Sequence, residues 1–255
     1  MFKVSLFILI FSFSDFCCYG QGKISRNTQS STQTSYTKLS VSGSLNGHDY
    51  VDLGLSSGRR WATCNIGSKS PAGYGDYFAW AETKSKSSYT ETNYGGCKDI
   101  YIDGLGSIKS DTIRGQHRII DNPRFDAARK NWGENWELPT AKDFAKLNKE
   151  CSWTLKSIDG HKGYLVTGPN GNSIFLPMAG LKENQNKSQV GSGGFYWTGD
   201  HWDARDRSTM IDFHESSHNG SIWCYRYKGL SIRPVVSLSK FNNTDDMIQI
   251  FFTRN

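Results

Sequence analysis

From residue 46 onward the chain alternates apolar and polar positions in short runs broken by glycines. "HDYVDLGL" and "RRWATCNI" flank a Ser-Ser-Gly turn and predict a hairpin. The same texture returns in "NSIFLPMAG", "GGFYWTGD", "STMIDFHES" and "SIWCYRYKGLSIRPVV". Between the last two stands "SHNG", whose Asn219-Gly220 pair is a strong hairpin signal and predicts the tip there. Two stretches carry a helical period instead. "NPRFDAARKNW" places Asn122 as N-cap, Pro123 at the first helical position and Gly133 just past the end. Thr140 with Asp143 three residues on is a capping box, and it opens a helix with Phe144, Leu147 and Cys151 on one inward stripe. The expected class is α+β, with two helices among antiparallel strands.

The first residues, "MFKVSLFILIFSFSDFCCYGQGK", break this pattern. A short basic start at Lys3, an apolar run from Val4 to Phe13 and small residues near Gly20 predict a secretory signal, residues 1–20, cleaved before Gln21. The run is too short to span a bilayer as a helix. Cys17 and Cys18 offer a lipid anchor as the alternative, although Ser14-Asp15-Phe16 fit a lipoprotein cleavage box poorly. Residues 21–45 are rich in Ser, Thr and Gln with few apolar anchors, which reads as a linker. The domain then occupies residues 46–236, and residues 237–255 form a tail.

Composition narrows the function classes. With 8 Trp, 12 Tyr and 14 Phe in 255 residues the chain can bury a sizeable core. Its mean hydropathy of −0.56 and the lack of a second apolar run predict no transmembrane segment. The net charge of +6 is scattered, and the densest basic clusters, such as Arg59-Arg60, are only pairs. Nucleic-acid binders gather their cations on one face or in a run, so no nucleic-acid partner is expected. Four cysteines remain after residue 20, Cys64, Cys97, Cys151 and Cys224. In an oxidising compartment pairing is the default, and the residues alone leave three connectivities open.

"HESSH", residues 214–218, matches the H-E-x-x-H string of zinc peptidases. That chemistry needs both imidazoles on one face of a helix. Here Ile211 and Phe213 alternate with Asp212 and His214, and Ser, Asn and Gly surround the string, so an extended hairpin is expected. On a strand the two rings lie up to ~13 Å apart at ~3.3 Å per residue, too far to share a metal. His214 is then expected to face the loop holding Trp202, and His218 to be solvated. No metal and no cofactor are expected.

"YVDLGLSSGRRWATCNIGSKSPAGYGDYFAWAET", "DAARKNWGENWELPTAKDF", "CSWTL", "GNSIFLPMAG", "GFYWTGD" and "GLSIRPV" together resemble the Fibrobacter succinogenes major paralogous domain family, common in exported proteins of Bacteroidetes. The resemblance spans about residues 48–236 and keeps the family's block order. The family is similar in turn to the C-type-lectin-like fold of formylglycine-generating enzymes and of retroelement variable proteins. This implies two helices and small twisted sheets in which the first and last strands, "YVDLGL" and "LSIRPVV", pair. It also implies a Cys64–Cys151 disulfide, leaving Cys97 with Cys224. Most aromatic residues of these blocks, Trp61, Trp80, Trp132, Trp136 and Trp153, are expected to serve packing, and Arg233 to satisfy buried carbonyls or a carboxylate.

In domains of that fold the segments just before the last strand form the ligand face. Here they carry Trp197, Asp200, His201, Trp202, Asp203, Arg205, His214, Trp223, Tyr225 and Tyr227. Exposed indoles stack on sugar faces while Asp, His and Arg hold hydroxyls. These residues are the candidate ligand-binding set. Asp200, Asp203 and Asp206 lack the spacing and central glycine of an EF-hand loop. The leading expectation is an exported, non-enzymatic module that binds a glycan or a protein, secreted, periplasmic or at the cell surface. A structural display protein, or an enzyme of the formylglycine-generating or zinc-dependent kind, are the alternatives.

Overall fold

The computed structural model describes residues 39–95, 97–102, 106–111, 119, 123–202 and 206–236. The expected signal segment, most of the linker, the tail, the N-cap candidate Asn122, Asp203 and Arg205 lie outside the described residues. The described residues form mostly antiparallel strands, with two α-helices among them.

β1 (Gly43–Leu45) pairs with β2 (His48–Asp52), so three residues assigned to the linker belong to the first sheet. The predicted hairpin joins β2 to β3 (Arg60–Ala62), with Gly58 N–H closing the turn on Leu55 O at 2.9 Å. Two strands, β4 (Cys97–Ile102) and β5 (Gly106–Asp111), form a hairpin of their own.

α1 (Ala127–Trp132) starts later than its sequence suggests. Its N-cap is Asp126, whose carboxylate accepts from Ala128 N and Arg129 N, and a single 3-10 turn at Pro123–Phe125 precedes it. Asp126 outcompetes the Asn122-Pro123 start because the same carboxylate also accepts from Leu138 N, tying the helix to the strand that follows. Gly133 ends α1 at φ +98°, as anticipated.

β6 (Trp136–Glu137) leads into α2 (Ala141–Glu150), which carries the predicted capping box between Thr140 and Asp143 and buries Phe144 and Leu147. Each such side chain contributes roughly 1.5–3 kcal/mol by leaving water. Next come the three-stranded meander β7 (Ser152–Ile158), β8 (His161–Thr167) and β9 (Ser173–Pro177), then the short hairpin β10 (Leu181–Glu183) and β11 (Asn186–Ser188). The last sheet is β12 (Gly193–His201), β13 (Arg207–His214) and β14 (Ser217–Tyr225), with β13 central. β15 (Val235–Val236) is the last strand among the described residues.

β15 pairs with β3 and β6, giving the order β1-β2-β3-β15-β6. The expected pairing of "YVDLGL" with "LSIRPVV" is corrected: the β2–β3 hairpin interposes β3, whose Trp61 faces Val235 across the ladder.

Alternation sorts the side chains into two apolar clusters. Phe195, Trp197, Met210 and Cys224 join Trp80, Trp136 and Ile232 in one, whereas Tyr196, Ile211 and Phe213 join Trp61, Phe144 and Leu147 in the other. The last sheet is thus covered on both faces along much of its length. A third, smaller cluster gathers Tyr77, Ala79, Tyr89 and Tyr94, with Tyr227 packed against it.

Two buried arginines tie the sheets together. Arg233 is fully buried and donates to Ala62 O at 3.1 Å, Phe175 O at 2.9 Å, Asn65 Oδ1 at 2.8 Å and Thr63 O. It is therefore a scaffold residue, in line with its reading as a partner of buried carbonyls. Arg59 pairs with Glu137 at 2.6 Å and Asp143 at 3.1 Å and also donates to Val236 O. Arg59 thus joins the ends of β3, β6, β15 and α2.

The expected Cys64–Cys151 bridge does not form: Cys64, Cys151 and Cys224 are free thiols, and the side chain of Cys97 lies outside the described residues. Each packs where its own element places it: Cys64 beside Thr63 Oγ1 at 3.5 Å, Cys151 at the C-cap of α2 against the Trp61 cluster, and Cys224 inside the Trp197 cluster. Burial pushes the Cys151 and Cys224 thiols up to about 11. Among the described residues no helix is long and apolar enough to cross a membrane, which says nothing of strands.

Candidate functional site

"HESSH" is a hairpin, but the tip is not at Asn219-Gly220. His214 pairs with Ser217, so the turn is Glu215-Ser216, inside the string itself. Asn219 and Gly220 lie within β14, where the register shifts by one residue. The glycine is needed for close approach rather than for a turn. A Cβ on Gly220 would sit 1.5 Å from Asp212 Oδ1.

The two imidazoles point to opposite faces of the sheet. His214 packs against Phe195 and places Nδ1 3.2 Å from Ser192 O and Nε2 3.7 Å from Asp212. His218 is half-buried rather than solvated: it stacks flat on Trp153 at 4.8 Å and meets Tyr164 edge-on. Glu215 pairs with Lys162 at 2.7 Å on the surface. No group of three His, Cys, Asp or Glu residues suited to a metal occurs among the described residues.

The candidate ligand set divides along the sheet. Trp197 is fully buried, with Nε1 donating to Phe78 O at 2.7 Å, so it is removed from the set as a core residue. Asp200 accepts from Ala141 N at the first residue of α2, an anchoring role. The half-buried His201 ring lies 6.3 Å from Trp80. His214 pairs with Gly193 across the ladder, at the end of the sheet opposite Trp202. The six residue steps from Ser208 to His214 span roughly 20 Å at ~3.3 Å per residue, so His214 does not approach Trp202 as expected.

At the other end the structure does assemble a surface. Trp223, Tyr225 and Tyr227 follow one another at a spacing of two. Trp223 meets Tyr225 edge-on at 5.5 Å, and Tyr225 stacks on Tyr227 at 5.7 Å. Arg207 pairs with Tyr225 across the ladder and lays its guanidinium 3.7 Å above the Trp223 ring and 5.4 Å from the Tyr225 ring. Lys228 approaches Tyr225 at 5.9 Å while pairing with Glu183 at 2.9 Å, and the Tyr227 hydroxyl donates to the same Glu183 at 2.8 Å.

Lys228 and the Tyr227 hydroxyl hold the Glu183 carboxyl below its usual range, while burial and Glu183 push the Tyr227 phenol up. Tyr227 therefore stays a hydrogen-bond donor throughout the physiological range. Trp202 is 37 % exposed, as is Trp223, and it leaves β12 just past His201, which faces Ser208 next to Arg207. Trp202 thus shares this end of the sheet with the strip.

Arg207, Glu183 and Lys228 were not in the sequence-derived set. Alternation back from Phe213 puts residue 207 on the Ile211 face, but a tip at Asn219-Gly220 would have set it opposite Ile232. The tip at Glu215-Ser216 together with the one-residue shift between Asp212 and His214 brings Arg207 to Tyr225. Comparisons with protein-family models, with curated proteins and with solved structures return no match.

Proposed function

We propose that the chain is a non-enzymatic recognition module whose ligand face is the strip Trp223–Arg207–Tyr225–Tyr227, extended by Trp202, and whose ligand is a glycan. The observation that carries this reading is the guanidinium lying 3.7 Å over a half-exposed indole beside two tyrosine rings packed in series. Rings so held offer flat apolar area at low entropic cost, and the polar edges of Arg207, Lys228 and Glu183 offer donors and acceptors for hydroxyls. A sugar ring has one apolar face and a rim of hydroxyls, the complement of this arrangement.

Several features favour recognition over catalysis. The two histidines of "HESSH" occupy opposite faces of a sheet and are engaged in separate packing. Cys224, the cysteine nearest the end of the domain, is buried with its thiol raised, the reverse of an activated nucleophile. We read the α+β arrangement as C-type-lectin-like, supported by the two helices and by β15 entering the N-terminal sheet beside β3. We further propose that the protein acts outside the cytoplasm, on the strength of the basic start and apolar run of residues 3–13.

A glycan array probed with the purified protein and with Trp223→Ala tests the function. Saturable binding to a restricted set of glycans, weakened at least tenfold in the variant, is expected. Absence of binding to any glycan, or binding indifferent to Trp223, contradicts it, and retention of a protein ligand alone would move the strip to a protein partner.

A further inference from the structure

A second feature uses other residues: residues 81–86, Gly95, Arg124 and Phe125 line an open cleft of about 400 Å³. Three cations and one carboxylate face it: Lys84, Lys86, Arg124 and Glu82. The carboxylate is already engaged, since Glu82 Oε2 lies 2.8 Å from Lys86 Nζ and Oε1 accepts from Gly95 N at 2.8 Å. Lys86 is held further by Asn93 O and sits 5.5 Å from the Tyr89 ring. The internal pair neutralises Glu82 and Lys86, and two positive charges remain. Neither Lys84 nor Arg124 forms an ion pair among the described residues.

Arg124 is exposed and places its guanidinium 4.5 Å over the Phe125 ring, a contact that restrains the side chain while its N–H groups remain available to an anion. The backbone at the cavity rim carries strain at one place. Ala81 adopts φ +66°, a conformation that side-chain-bearing residues avoid, and from there the chain turns through Thr83 and Ser85, whose side chains add neutral polar lining.

We infer that this cavity binds an oxyanion group, a carboxylate, sulfate or phosphate, carried on a small body such as a sugar ring. Planar guanidinium recognition and the net positive lining select the anion. A volume of about 400 Å³ falls in the range of small-molecule sites, roughly 300–1,000 Å³, and leaves room for the body that bears it. None of the lining residues belongs to the aromatic strip, so the inference stands without the ligand proposed for that strip.

Amide chemical-shift titration of the ¹⁵N-labelled protein tests the inference with sodium sulfate, sodium phosphate, glucuronate and neutral glucose at constant ionic strength. Saturable shifts of Ala81–Lys86 and Gly95 are expected with at least one anionic probe and not with glucose. Arg124→Ala and Lys84→Ala should each weaken that binding at least fivefold while leaving the remaining amide spectrum unchanged, and Trp223→Ala should leave it unaltered. The preferred probe identifies the source, a uronate pointing to acidic glycans and phosphate or sulfate to esterified ones. Linear, unsaturated shifts, an equal response to glucose, or indifference to both cation variants would overturn it.

Discussion

Arg233 and Arg207 stand in the same small protein and teach opposite lessons. Arg233 is fully buried, and its donors are matched to three backbone carbonyls and a side-chain amide oxygen from separate segments. Arg207 lies on the face of a half-exposed indole, paired loosely with Asp206 at 3.7 Å. Burial of a charge is tolerable only where every donor is matched, so the surroundings of Arg233 are determined by the fold. A partly exposed guanidinium resting on an aromatic ring contributes only about 0.5–1 kcal/mol to folding, which leaves the outer side of Arg207 available for a ligand.

The largest effect should come from removing the buried partner. Arg233→Met keeps much of the side chain's length but leaves Ala62 O, Thr63 O and Phe175 O without their donor. At roughly 1–3 kcal/mol for each buried unsatisfied group, a loss of at least about 3 kcal/mol is expected in urea denaturation. A loss below about 1 kcal/mol would mean that water replaces the guanidinium and that the contrast with Arg207 is empty.

The next effect has the opposite sign. Ala81→Gly relieves left-handed strain of about 1–2 kcal/mol against a flexibility cost of about 0.5–1 kcal/mol, so the variant should be more stable by roughly 0.5–1 kcal/mol. Thermal and chemical denaturation both read this, and a destabilised variant would show that Ala81 makes packing contacts worth more than its strain.

Sequence patterning carried the scaffold further than the surface. The Thr140–Asp143 capping box, the β2–β3 hairpin and the inward face of Ile211 and Phe213 are local, and each appears as read. The errors share one cause, because competition between neighbouring signals is settled by tertiary contacts. Asn219-Gly220 is the better turn sequence, yet the chain reverses four residues earlier at Glu215-Ser216, and Gly220 packs against Asp212 within the ladder. The candidate surface inherited that shift of register, which is why Trp223 and Tyr225 were legible while Arg207 was not. The cysteines failed for a related reason, since their even number carries no information on which packing sites their elements reach.

Thiol reactivity separates the two regions chemically. In denaturant without reductant, Cys64, Cys151 and Cys224 should all react with Ellman's reagent. In the native protein Cys151 and Cys224 should react slowly, because burial raises both thiols to about 11 and few thiolates are present. Peptide mapping that finds Cys64 joined to Cys151 would contradict the free-thiol arrangement.

The smallest effect belongs to the "HESSH" turn. Glu215→Ala removes only an exposed pair with Lys162, worth about 0–1 kcal/mol, and should leave folding and ligand affinity unchanged. A large loss of any hydrolytic activity on this substitution would reopen the metal reading.

The central claim is that one end of the β12–β13–β14 sheet recognises a ligand while the rest is scaffold. The most direct measurement is calorimetric affinity for the glycan selected by the array, compared between Trp223→Ala and His214→Ala, which modify opposite ends of the same sheet. The account predicts at least a tenfold loss for Trp223→Ala with stability changed by less than about 1 kcal/mol, and unchanged affinity for His214→Ala. Equal affinities in both variants, or a loss confined to His214→Ala, would contradict it.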